Sequence, residues 1–207
     1  MPKVKIMLTK LRCLTETDEV GADEPYVLVF AAQIKKIGGV VNIPAAATVR
    51  YGPWGDVDKG ELVSTTLKLG GKTILEAKNF WGLDGKAHEL SDMNDVIFIV
   101  GLMENDDAGA GGIREGLHAQ LFASISSYAN AGMSRADMVS KLKHDMKDVL
   151  KGVTVTGIPN NDDLVGVAEL RFSNAALQNA AHATQIETME IAGDGGKYRL
   201  RFEMHKG

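Results

Sequence analysis

Apolar residues alternate with basic and polar ones in KVKIMLTKLRCL, near the start of the chain. That period of two is what a half-buried β-strand requires, and it predicts a first strand over residues 4–14. YVLVFAA predicts a second strand over 26–32, and further short candidates fall at 40–43 and 47–51. GPWGDVDKG is turn-rich; 62–69 and 73–77 read as weaker strands, followed by a loop through FWGLDGKAHELSD. Residues 95–103 form a continuous apolar run, the pattern of a strand buried between sheets. Strands at 167–172 and 198–204 close the series, with GDGG at 193–196 as a hairpin-like turn. Many short strands separated by turns predict two packed antiparallel sheets, with Leu28 and Phe30, Ile97 and Ile99, and Leu200 and Phe202 pointing inward.

One segment breaks the β pattern. Ile113, Leu117, Leu121 and Ile125 recur every four residues, and Gly132 separates them from a second helical stretch. Ser134 is suited to cap that stretch, with Asp137 three residues later, and Met138, Leu142, Met146 and Val149 share one face as core packing. The expectation is a helical hairpin inserted over residues 108–158 of a β-sandwich. Lys143, Lys147 and Lys151 lie on the other face, where they are either a solvated stripe or a contact for anionic lipid headgroups. An alanine-rich stretch over 174–183 reads as a short helix packed over one end of the sandwich.

With 207 residues and 44% hydrophobic content, the chain can bury a sizeable core as a single domain, 1–207. A net charge of −4 and a pI near 5.7 argue against a general nucleic-acid binder, which needs a basic surface. The single cysteine, Cys13, lies in an apolar strand as a buried thiol and excludes any intrachain disulfide. The lysines of the N-terminal stretch distinguish it from a secretory signal, and no stretch approaches the roughly twenty apolar residues needed to span a bilayer. The expectation is a soluble protein, cytoplasmic by default, whose membrane contact, if any, is peripheral.

Three acidic clusters interrupt this framework. The first is TDEVGADEPY, in which Asp18 and Glu24 flank Gly21 and precede Pro25-Tyr26 at the start of a strand. It reads as a metal-binding loop or as an ordinary acidic turn. The others are LMENDDAG, containing Glu104, Asp106 and Asp107, and IPNNDDLVG, containing Asp162 and Asp163.

In these clusters the sequence resembles a C2 domain, a β-sandwich module of calcium-dependent membrane binding. The family's first metal loop reads Asp-x-x-Gly-x-x-Asp-Pro-Tyr, matched by Asp18, Gly21, Glu24, Pro25 and Tyr26 with Glu replacing the second Asp. Its other major loop has Asp-x-Asp, then Asn-Asp, two apolar residues and Gly. Glu104 and Asp106 match the first half; Asn161 or Asp162, with Asp163, Leu164, Val165 and Gly166, match the second. The resemblance spans most of the chain, with roughly fifty residues inserted where the family has a short loop. It implies a C2-like antiparallel sandwich with calcium ligands at Asp18, Glu24, Glu104, Asp106 and Asp163. It also implies docking on anionic phospholipid membranes, with metal bridging carboxylates to lipid phosphate.

These candidate ligands are hard oxygen donors with no cysteine or histidine pair beside them, which favours Ca2+ over zinc; an adaptable cage of loops favours it over magnesium. The alternative function is a protein-interaction or structural module, with the hairpin as its partner-binding element and calcium at most stabilising loops. Neither acidic cluster reproduces an EF-hand, GAGG at 109–112 lacks the Lys-Ser/Thr of a phosphate loop, and His118 and His144 have no matching ligand triad. No nucleophile or zinc-protease signature supports an enzyme. Because the hairpin interrupts the segment joining Glu104 and Asp106 to Asp163, it is expected at the metal-binding end.

Overall fold

The computed structural model describes residues 2–17, 23–37, 40–69, 72–75, 77–82, 85–105, 112–152 and 162–207. In chain order the strands are β1 (Lys3–Thr15), β2 (Pro25–Ile37), β3 (Val40–Tyr51), β4 (Leu62–Ser64), β5 (Leu67–Leu69), β6 (Lys72–Leu75), β7 (His88–Glu89) and β8 (Val96–Glu104). The helices α1 (Ile113–Asn130) and α2 (Arg135–Leu150) follow, then β9 (Asp163–Leu170), α3 (Asn174–Asn179), β10 (Gln185–Gly193) and β11 (Gly196–Lys206). The protein is mainly β, with two antiparallel sheets packed as a sandwich and the helical hairpin inserted between strands.

The first sheet has the order β10-β11-β1-β4, with β7 also paired to β1; the second has the order β3-β2-β8-β9. Between them lies a core built from one face of each strand: Val4, Ile6, Leu8 and Leu11 of β1, Leu200, Phe202 and Met204 of β11, and Val27, Val29, Phe98, Val100 and Leu102 from the second sheet. Phe80 joins both sides, its ring edge-on to Phe98 at 5.3 Å and to Phe202 at 6.0 Å.

Two of the three pairs predicted to point inward are corrected. Leu200 and Phe202 face the other sheet, but Leu28, Phe30, Ile97 and Ile99 point away from it, into a second core shared with the helices. Every residue of β8 is buried, so this strand is covered on both faces and its sequence carries no alternation to say which residue faces where. The hairpin supplies the second cover. Leu117, Leu121 and Ile125 of α1, with Met138, Leu142, Met146 and Leu150 of α2, lie against the outer face of the second sheet. Ser134 caps α2 as its sequence predicts, its Oγ accepting from Asp137 N at 3.1 Å.

The hairpin is therefore a third layer along the sheet, not a cap on the end that carries the acidic clusters, where its place in the chain order predicted it. At the start of α2, the Arg135 guanidinium donates to Val96 O at 2.9 Å and to Glu169 Oε1 at 2.8 Å. At its end, Met146 and Leu150 approach Gly101. So α2 runs from the beginning of β8 toward its end, and its last turn reaches the strand end that carries Glu104.

Three smaller differences remain, two of them at edge strands. β3 is one strand rather than two, because an edge strand tolerates Pro44, which cannot donate to a neighbour. β10 has no counterpart among the predicted strands, although GDGG does turn it back onto β11: Gly193 pairs with Gly196, with Asp194 and Gly195 at φ 50° and 73°, a turn of the I′ kind. α3 is shorter than predicted, and it sits where β8 begins. Its first residue, Asn174, accepts from Met93 N at 2.7 Å, and Leu177 enters the core between the sheets, closing the sandwich at the end opposite Glu104.

Candidate functional site

Antiparallel register brings the acidic clusters together. Pro25 at the start of β2 pairs with Glu104 at the end of β8, and Glu104 pairs with Asp163 at the start of β9. Three neighbouring strands thus place Glu24, Glu104 and Asp163 at one end of the second sheet, where directly paired residues lie roughly 5 Å apart at Cα.

Hydrogen bonds fix this end. Glu104, 3% exposed, accepts at Oε1 from Glu24 N at 2.7 Å, so a carboxylate from one acidic cluster holds the backbone of another. Asn105 answers in both directions: its backbone N–H donates to Glu24 O at 3.2 Å, and its side-chain amide donates to Glu24 Oε2 at 2.9 Å. Tyr26 donates to Asp162 Oδ2 at 2.6 Å, tying β2 to the residue before β9. Burial, then the Asp162 carboxylate, push the Tyr26 phenol well above its ordinary value, so it remains a donor.

Asp23 has a different role. Its buried carboxylate accepts from Thr17 N at 3.1 Å, from Thr17 Oγ1 at 2.8 Å and from the Tyr198 hydroxyl. A buried carboxylate is retained only where donors replace its water, and here three do. Sequence reasoning passed over Asp23 in favour of its neighbour Glu24. Nothing in an acidic run marks which member turns inward; the partners come from residues 17 and 198.

Of the predicted ligands, Glu24 and Asp163 are half-buried and Glu104 is buried, while Asp18 and Asp106 lie outside the described residues. Asp18 follows Thr17 in the chain and Asp106 follows Asn105, each next to a residue of the hydrogen-bonded set. Among the described residues, no group of three or more His, Cys, Asp or Glu is arranged to hold a metal ion. The acidic side chains whose backbone positions register places at this sheet end carry oxygen donors, the type that a hard divalent cation selects.

Two of the three predicted lysines reach this end. Lys147 and Lys151, both exposed, line a cleft of about 690 Å3 with Asp163, Glu190 and Asp194. Lys143 is half-buried one turn earlier and does not line it. The other predicted features have ordinary structural roles. His118 meets Thr48 Oγ1 at 3.3 Å and stacks on Phe122, and its lowered pKa follows from burial and then from Arg114. Cys13 is buried, and its thiol is pushed up to about 11 by burial and then by the charge of Asp23.

No protein-family model, no curated protein and no solved structure matches the chain.

Proposed function

We propose that the acidic end of the second sheet binds calcium and docks the protein peripherally on anionic phospholipid surfaces. The observation that carries this reading is the register Pro25, Glu104, Asp163, which gathers three acidic segments far apart in sequence at one sheet end. Carboxylates brought to roughly 5 Å from one another would repel by about 3 kcal/mol per pair at an effective dielectric near 20, a cost that a bound cation would relieve. Glu24, Glu104 and Asp163 would hold the ion together with Asp18 and Asp106. The ion would supply positive charge for a lipid phosphate oxygen. Lys147 and Lys151 would add a screened attraction to the same surface. The likeness of the two loop motifs to the C2 module supports the same assignment.

Calcium titration followed by thermal melting tests it. Calcium is expected to raise Tm through preferential binding to the folded chain, with dissociation on the order of 10⁻⁵ to 10⁻³ M. Replacing Asp18 and Asp106 together by Asn should abolish the shift and leave the melting of the calcium-free protein in place. An unchanged isotherm in that double variant would sink the site. Calcium binding without calcium-dependent pelleting on phosphatidylserine vesicles would remove the membrane half of the reading.

A further inference from the structure

The two sheets close on each other along one flank and stay apart along the other. On the closed flank β9 and β10 pack backbone to backbone: a Cβ at Gly193 would lie 2.1 Å from Val165 O, and one at Gly166 would lie 2.7 Å from Ile191. On the open flank, β3 is the last strand of the second sheet and has no neighbour on its outer side among the described residues.

A pocket of about 320 Å3 lies there, with Ala45, Ala46 and Ala47 on one wall and Phe80, Trp81 and Glu89 on the other. Its contact with three consecutive residues is informative. Ala47 pairs with Ala31, which belongs to the core between the sheets, whereas Ala46 pairs with Ala32, which belongs to the core under the helices. Ala31 and Gln33 of β2, the partners of Ala47 and Ala45, line the cavity as well, so it opens between the sheets beside β3, and Ala46, whose side chain turns to the helices, borders it.

Both ends of the exposed edge are defined. Toward Tyr51, Lys78 Nζ donates to Arg50 O at 3.0 Å and the Tyr51 hydroxyl donates to Lys78 O, so the chain at residue 78 lies against β3. Two residues later Phe80 N donates to Ile6 O at 2.9 Å, so the chain has crossed to the first sheet, and among the described residues no strand pairs with the outer edge of β3. Toward the other end stands Pro44, which lacks an N–H. Between them the edge carries three alanines and Thr48, without the charged or bulky residues by which proteins commonly guard an edge.

We propose that this flank binds an extended peptide segment of a partner protein, added as a strand to β3 over residues 45–48. One aliphatic side chain of the peptide enters the pocket between the alanines and Trp81, and a basic residue of the peptide pairs with Glu89. An open strand edge presents N–H and C=O groups at a spacing that another main chain satisfies, while pockets for alternate side chains supply selectivity. The pocket is at the small end of ligand-site volumes, roughly 300 Å3, suited to an aliphatic side chain. Glu89 is exposed and makes no ion pair among the described residues. The flank is independent of the acidic end. Gln33, on its wall, lies roughly 26 Å along β2 from Pro25 at about 3.3 Å per residue.

The test is titration of the full chain with a synthetic library of blocked hexapeptides that alternate Thr with Leu, Ile, Val or Phe and carry a terminal Lys, read by amide and indole NMR. Binding peptides should give saturable shifts at Ala45–Thr48 and at the Trp81 indole. Ala47→Leu, which fills the pocket, should weaken binding at least tenfold with melting unchanged or raised. As a second variant, Glu89→Lys lies on the surface and should weaken the Lys peptides severalfold and restore binding to peptides ending in Glu. No saturable shift at these residues with any library member at millimolar concentration would overturn the proposal, as would binding that both variants leave unchanged. Equal saturation by isoamylamine, which has the side chain and charge but no peptide groups, would replace strand addition with a small-molecule site and also overturn it.

Discussion

Tyr198 on β11 donates its hydroxyl to the buried carboxylate of Asp23, 175 positions earlier, joining the first sheet to the segment that leads into β2. Replacing Tyr198 by Phe leaves Asp23 with the two donors of Thr17 and removes a charge-assisted bond from a buried acceptor. The expected loss is about 1–3 kcal/mol. Urea denaturation of Tyr198→Phe measures it, and an unchanged midpoint would show that Thr17 alone satisfies Asp23.

Alkaline pH should unfold the protein through its buried phenols. Tyr26, Tyr51 and Tyr198 are all pushed above their ordinary value, first by burial, and Tyr26 and Tyr198 next by hydrogen bonds to carboxylates. A folded pKa above the unfolded one means that stability is intact below the unfolded value, near 10, and falls as pH rises past it, because the unfolded chain then releases its protons first. Cys13, pushed up to about 11 from 9.0, acts in the same direction and begins earlier. Melting temperature should be flat through neutral pH on this account and decline above pH about 9. Tyr26→Phe with Tyr198→Phe should flatten the decline; the same slope in that double variant would show that other groups drive it.

The contact of α2 with the sheet rests on the absence of a side chain at Gly101. A Cβ there would lie 2.8 Å from Leu150 Cδ1 and 2.8 Å from Met146 Cε. These are ends of flexible side chains, so Gly101→Ala should be absorbed with little cost. The branched side chain of Gly101→Val must push α2 off β8, at about 1–3 kcal/mol for overpacking. Chemical denaturation of the two variants separates these outcomes, and equal stability would mean that the helix is held elsewhere.

The helices were legible because their apolar stripe recurs every four residues and Ser134 with Asp137 marks a start. Where that stripe would lie was not. Chain order requires both ends of the hairpin to return near Glu104 and Asp163, but the helices settle on whichever apolar surface needs cover. Here that is the outer face formed by Leu28, Phe30, Ile97 and Ile99. The same burial on two sides erased the alternation that would have assigned those residues to a face. β10 went unseen because an edge strand with Ile186, Thr188 and Glu190 turned outward has no apolar run to read. Motif order anticipated that the segments of Glu24, Glu104 and Asp163 begin or end at one edge of the same sheet, as the strand register has them. The division of labour among the acids, with Asp23 and Asp162 bonded to tyrosines, depends on distant partners and was not.

Calcium affinity and membrane affinity should respond in opposite directions to Lys147 and Lys151. Both line the cleft that holds Asp163, so their positive charges oppose a cation arriving at the acidic end. For charges about 8 Å apart in a water-like dielectric the opposition is roughly 0.5 kcal/mol per lysine, about twofold in affinity each. Against an anionic vesicle the same charges attract, at about 1 kcal/mol per lysine, falling with salt. Lys147→Gln with Lys151→Gln should therefore tighten calcium binding in solution while weakening calcium-dependent pelleting on phosphatidylserine vesicles at low salt. Lys143→Gln should change both less, because Lys143 does not line the cleft. If the double variant pelleted as well as the parent protein at low salt, α2 would not face the membrane, and if calcium affinity also stayed the same, the acidic end would not be the site that binds it.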